Sequence, residues 1–85
     1  MTAICMLFTQ QDQGPVAIGT STFAEVPRIG EYIEYWDATQ HPFAYVVQNV
    51  AHTPTRSAAN AFLLVEQIGT GSMTATQAMA RHFNQ

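Results

Sequence analysis

The chain has 85 residues, of which 47% are apolar and only 11% charged; it holds three arginines, no lysine and six acids, for a formal charge of −3. So few cations argue against a nucleic-acid surface, which must release counterions, and against an anionic membrane surface, while the apolar content argues against disorder. The length fits one small domain over residues 1–85, which buries roughly 60% of its unfolded surface and is marginally stable alone.

Cys5 is the single cysteine, so no intrachain disulfide forms. Small secreted domains usually carry several, and a reducing, cytoplasmic compartment is expected. Cys5 lies in the apolar run Ala3 to Phe8 with no cation close in sequence, and reads as a small buried hydrophobe. That run is too short to span a bilayer and lacks a signal peptide's positive start.

Turn-forming clusters at Gln10 to Pro15, Pro27 to Gly30, Asp37 to Pro42, Thr53 to Ser57 and Gly69 to Ser72 separate short segments rich in β-branched and aromatic residues. This spacing predicts a small sandwich or barrel. The first strand, Ala3 to Thr9, is apolar on both faces and is expected in a well-covered position. The polar loop Gln10 to Pro15 reads as longer than a tight hairpin turn, with a mobile tip. The second strand, Val16 to Ala24, alternates, with Gly19 marking a bend or bulge. Pro27 and Gly30 make a corner leading into the third strand, Glu31 to Trp36.

The fourth strand, Phe43 to His52, changes phase partway. Phe43, Tyr45 and Val47 share a face; Val50 joins them only if a bulge sits at Gln48-Asn49. The fifth strand, Ala61 to Ile68, is apolar on both faces. Helix-favouring residues then fill about 73–83, with Ser72 as expected N-cap and Ala75, Ala78, Met79, His82 and Phe83 as a stripe for packing on a sheet. The prediction is an all-β, partly open antiparallel barrel of about five strands with a C-terminal helix.

Residues that carry chemistry are sparse. His41, His52 and His82 lack the local pairing of a zinc site, and neither metal nor cofactor is expected. Asp37 and His41 share a loop, which reads as solvated or locally hydrogen-bonded. His82 suits the carbonyls of a helix C-terminus. No nucleophile motif surrounds any of the ten threonines or the other hydroxyls. Gly69-Thr70-Gly71-Ser72 lacks the lysine and βαβ context of a phosphate loop and reads as a helix-capping turn. Glu31 and Glu34 fall on opposite faces of a strand and make no acid–base couple. A non-enzyme is expected.

The unusual feature is an apolar surplus. Ile33 and Tyr35 point one way on the third strand, while Tyr32, Glu34 and Trp36 point the other. Ala61, Leu63 and Val65 oppose Phe62, Leu64 and Ile68 on the fifth. A single sheet with one helix leaves part of this surplus exposed, and large exposed patches mark interaction sites. Tyr32, Trp36, Phe62 and Leu64 are therefore the expected interface, with a second copy of the chain as the expected partner and a foreign protein as the alternative. Two further readings compete: a small-molecule pocket in the barrel mouth, lined by Trp36, Tyr45 and His52, and a minimal enzyme using His52 with a carboxylate.

Val26-Pro27-Arg28-Ile29-Gly30-Glu31-x-Ile33, followed by Tyr45-x-Val47-x-x-Val50-x-His52, resembles small uncharacterised bacterial proteins, some carried on mobile gene cassettes, that look like SH3-like barrels. The likeness covers Val26 to roughly Val65. It implies the fold, with a Pro/Gly corner and a bulged strand. It implies no activity and no site residue, because such barrels host many unrelated functions.

Overall fold

The computed structural model describes residues 2–52, 59–69 and 71–83, with His82 and Phe83 described by their backbone alone. Five strands precede one helix: β1 (Ala3–Gln11), β2 (Gly14–Phe23), β3 (Tyr32–Trp36), β4 (Pro42–His52), β5 (Ala61–Gln67) and α1 (Ala75–Phe83). The strands form a single sheet in the order β2-β1-β5-β4-β3, curled into a half-barrel. The all-β half-barrel with a terminal helix is as the sequence predicts, with one correction: β1 and β5 pair in parallel. A parallel pair needs a long crossover, and the whole β2–β4 stretch supplies it.

The inner face holds the core. Ala3, Cys5 and Leu7 of β1, Ile33 of β3, Tyr45 and Val47 of β4, and Ala61, Leu63 and Val65 of β5 are all buried, with Ile18, Phe23, Val26, Tyr35, Phe43 and Val50 packed around them. Burial raises the pKa of the Cys5 thiol, consistent with a buried hydrophobe and not with an activated nucleophile. β1 is covered on this inner face only; Ile4, on the other face, is 42% exposed.

Two bulges curl the sheet. In the β4–β5 ladder Val47 opposes Val65 and Asn49 opposes Leu64, so Gln48 is the extra residue; the phase change in β4 has the cause expected of it, and Val50 returns to the core face opposite Leu63. In the β1–β2 ladder Leu7 opposes Gly19 and Phe8 opposes Ala17. The chain between β2 and β3 turns at Gly30, whose φ of 90° suits glycine. It then joins the bulge: Gly30 N donates to Val47 O at 2.8 Å, and Val47 N donates to Glu31 O at 3.0 Å.

Two local expectations are corrected. The Gln10–Pro15 segment is not a long loop: β1 runs to Gln11 and β2 resumes at Gly14, leaving a two-residue turn. Its polar side chains sit on solvent-facing strand ends, where Gln11 Nε2 donates to Thr9 Oγ1 at 3.0 Å. The helix is capped by Thr74 rather than Ser72. Gln77 N donates to Thr74 Oγ1 at 3.2 Å and Thr74 N to Gln77 Oε1 at 2.9 Å, a reciprocal capping box. Ser72 Oγ instead donates to Pro42 O at 2.8 Å, tying the approach to α1 onto β4. The expected turn at Thr53 to Ser57 and the His82 and Phe83 side chains lie outside the described residues.

Candidate functional site

The outer face of the sheet is divided in two. Register places Tyr32, Glu34 and Trp36 opposite Val46, Ala44 and Pro42, so these six share the outer side, and α1 packs here against β3 and β4. Small residues let it approach: Ala44 and Ala78 are both fully buried. Glu34 anchors the helix start. Its Oε1 accepts from Ala75 N at 3.0 Å and its Oε2 from Trp36 Nε1 at 2.6 Å, so one carboxylate meets the positive end of the helix and fixes the indole beside it. Glu34→Ala leaves both donors without this partner. We expect a loss of about 1–2 kcal/mol, with a changed Trp36 emission and less helical circular dichroism at 222 nm. Unchanged spectra would contradict the anchoring role.

The other part lies over β1 and β5. The parallel register sets Met6 beside Phe62 and Phe8 beside Leu64, with Ile4 continuing the β1 row. Phe8 and Phe62 meet edge-to-face, their ring centroids 5.3 Å apart. Phe62 is 37% exposed; Met6, Phe8 and Leu64 are half-buried. Next to the rings is an apolar hollow of about 450 Å³, continued by Pro15, Val50 and Ala51. The period-two pattern of β1 already opposes Ile4, Met6 and Phe8 to Cys5 and Leu7; reading the strand as covered on both faces concealed this row.

The four expected interface residues therefore do not form one patch. Phe62 and Leu64 lie on the open part. Trp36, half exposed, lies beside α1. The β4 partners of Trp36 and Phe62 are Pro42 and Ala51, roughly 30 Å apart along an extended strand. Tyr32 is half-buried opposite Val46.

Trp36, Tyr45 and His52 do not converge either. Trp36 faces outward and Tyr45 inward, where burial raises its pKa. Tyr45 lines a depression with Ile18, Tyr35, Asp37, Ala38, Phe43 and Gln67. His52, at the far end of β4, lines another with Val26, Pro27, Arg28, Ile29 and Val50, which contains no carboxylate. Asp37 and His41 are joined through Thr39: Asp37 Oδ1 accepts from Thr39 Oγ1 at 2.6 Å, from Thr39 N at 2.9 Å and from His41 N at 3.1 Å, while His41 Nδ1 lies 2.8 Å from Thr39 Oγ1. These bonds, led by the Thr39 hydroxyl, hold the Asp37 carboxyl below its ordinary pKa and close an exposed turn.

Among the described residues no group of three or more His, Cys, Asp and Glu is arranged to hold a metal, and no helix is long and apolar enough to cross a membrane. Set against protein-family models, curated proteins and solved structures, the chain matches none.

Proposed function

We propose that this protein is a small non-catalytic assembly module that associates with a second copy of itself through the open part of its outer sheet face. The observation that supports this reading is the uncharged row Ile4, Met6, Phe8, Phe62 and Leu64, which α1, seated over β3 and β4, leaves uncovered, with Ile4 and Phe62 exposed. An edge-to-face aromatic pair beside an apolar hollow gives one surface both a ridge and a recess, as a two-fold contact requires of a patch that meets itself. Aromatic side chains in such a centre bury area at little entropic cost. The row ends at Glu66, the next outward residue of β5, whose carboxylate accepts from Gln48 Nε2 at 2.6 Å.

The test is sedimentation of the wild type and Phe62→Ala across a concentration series, with circular dichroism as the fold control. The ring is partly exposed, so the variant should stay folded while its dimer midpoint rises at least about tenfold. Trp36→Ala, run beside it, reports on the helix-covered part. Loss of association there, with Phe62→Ala silent, would move the interface to β3. A wild type that is monomeric at high micromolar concentration would overturn the reading.

A further inference from the structure

The depression at the far end of β4 combines apolar walls with two nitrogen-bearing side chains. Val26, Pro27, Ile29 and Val50 give it apolar walls, and Arg28 and His52 also line it, within a volume of about 500 Å³. The chain has only three arginines and three histidines, and here one of each meets at a single recess. Among the described residues neither the Arg28 guanidinium nor the His52 ring has a hydrogen-bonding or ionic partner. Two acids lie three residues from Arg28: Glu31 has its Oε1 engaged by the Arg28 backbone N–H, and Glu25 is exposed.

Two elements bring these groups together. The Pro27–Gly30 corner is held against the β4 bulge by the Gly30–Val47 hydrogen bond, which sets Arg28 beside the end of β4. The same bulge restores Val50 to the inner phase, and with it His52, two residues on and opposite Ala61. Without the extra residue Gln48, His52 would face the other side of the sheet.

We infer that this recess binds a small organic carboxylate with an apolar body. The guanidinium offers paired N–H donors that match a carboxylate, the imidazole offers a further donor, and Val26, Ile29 and Val50 take the hydrocarbon part. The recess is open, with Ile29 64% exposed, so it takes a small ligand along one side. The inference stands apart from the proposed self-association: of the recess lining only Val50 also borders the Phe8–Phe62 hollow.

The experiment is an amide chemical-shift titration of the full chain with sodium hexanoate at constant ionic strength, repeated with hexan-1-ol and with inorganic phosphate. Saturable shifts with hexanoate are expected at Val26, Arg28, Ile29, Val50 and His52. The alcohol, lacking the charge, and phosphate, lacking the apolar body, should each bind at least about tenfold more weakly. Arg28→Gln keeps the backbone N–H that Glu31 accepts, so the corner should hold, while hexanoate affinity falls at least about tenfold; His52→Asn should lower it by a smaller factor. The inference is overturned if hexanoate shifts do not saturate, or if they map to the Phe8–Phe62 hollow. It also fails if either control binds as tightly, or if Arg28→Gln changes nothing.

Discussion

Val47→Asp should leave the protein unfolded at room temperature. Val47 is 1% exposed and sits opposite Val65 in the core face. Both its backbone groups are engaged by the Gly30–Glu31 corner, so the strand cannot twist to lift the new carboxylate into water without releasing that corner. Burying an unpaired charge costs several kcal/mol. A domain of this length has roughly 4–13 kcal/mol of stability in total, and its small size puts it toward the lower end. Val50→Asp should behave differently. Val50 shares the core face but is only half-buried, at the rim of two depressions, so its carboxylate reaches solvent. A lowered melting temperature with the fold retained is expected. Asn49→Asp, on the exposed outer side, serves as the control and should be nearly neutral. Thermal melts by circular dichroism separate the three. A folded Val47→Asp would mean that Val47 is not sealed in the core, and an Asn49→Asp that melts lower than Val50→Asp would mean that the strand has no bulge at Gln48.

Much of this architecture was legible in the residues, and the reasons differ by element. The β4 bulge showed because four apolar side chains demanded one face and strict alternation could not give it to them. The corner before β3 showed because proline and glycine restrict the backbone locally. What did not show was whatever depended on partners distant in sequence. Nothing in β1 or β5 alone says that they run parallel, since direction follows from where the chain returns. Ser is the better cap by preference, so Ser72 stood ahead of Thr74; the choice was made by Pro42 O, which takes the Ser72 hydroxyl, and by Gln77, which closes the box on Thr74. The outer face was legible in part. Phe62 and Leu64 stood out as surplus, but whether Trp36 joined them depended on where α1 came to rest. Glu34, which holds the start of that helix, read only as an acid on the Tyr32–Trp36 face with no couple to Glu31. The Arg28–His52 recess lay hidden for the same reason: the two residues are 24 apart in sequence and meet only because a corner and a bulge bring them there.

Gly19→Ala should be the most damaging small-to-small substitution in the chain. Gly19 has φ of 152°, a conformation that an L side chain adopts only under strain. A Cβ built there would overlap Tyr35 Oη and lie 2.9 Å from Tyr35 Cζ. The overlap arises because the half-barrel nearly closes at this point: the edge strands β2 and β3 approach, and the Tyr35 hydroxyl donates to Ile18 O at 3.2 Å across the gap. Moving the ring aside breaks that bond, and leaving it in place keeps the overlap. Backbone strain of about 1–3 kcal/mol and a lost hydrogen bond of about 1 kcal/mol together give an expected loss of about 2–4 kcal/mol. For a domain of this size that lowers the melting temperature by more than about 10 °C. Tyr35→Phe resolves the two contributions. Alone it removes only the hydroxyl and should cost about 1 kcal/mol. Combined with Gly19→Ala it also removes the worst of the overlap, so the double variant should be more stable than the sum of the single losses requires, by a coupling of at least about 0.5 kcal/mol. The loss that persists in the double variant beyond that of Tyr35→Phe alone combines the strain of the left-handed backbone with the remaining 2.9 Å approach to the ring carbon. Additive losses would place Tyr35 away from Gly19, and a neutral Gly19→Ala would mean that β2 carries no bulge there and that the two edges of the half-barrel do not meet.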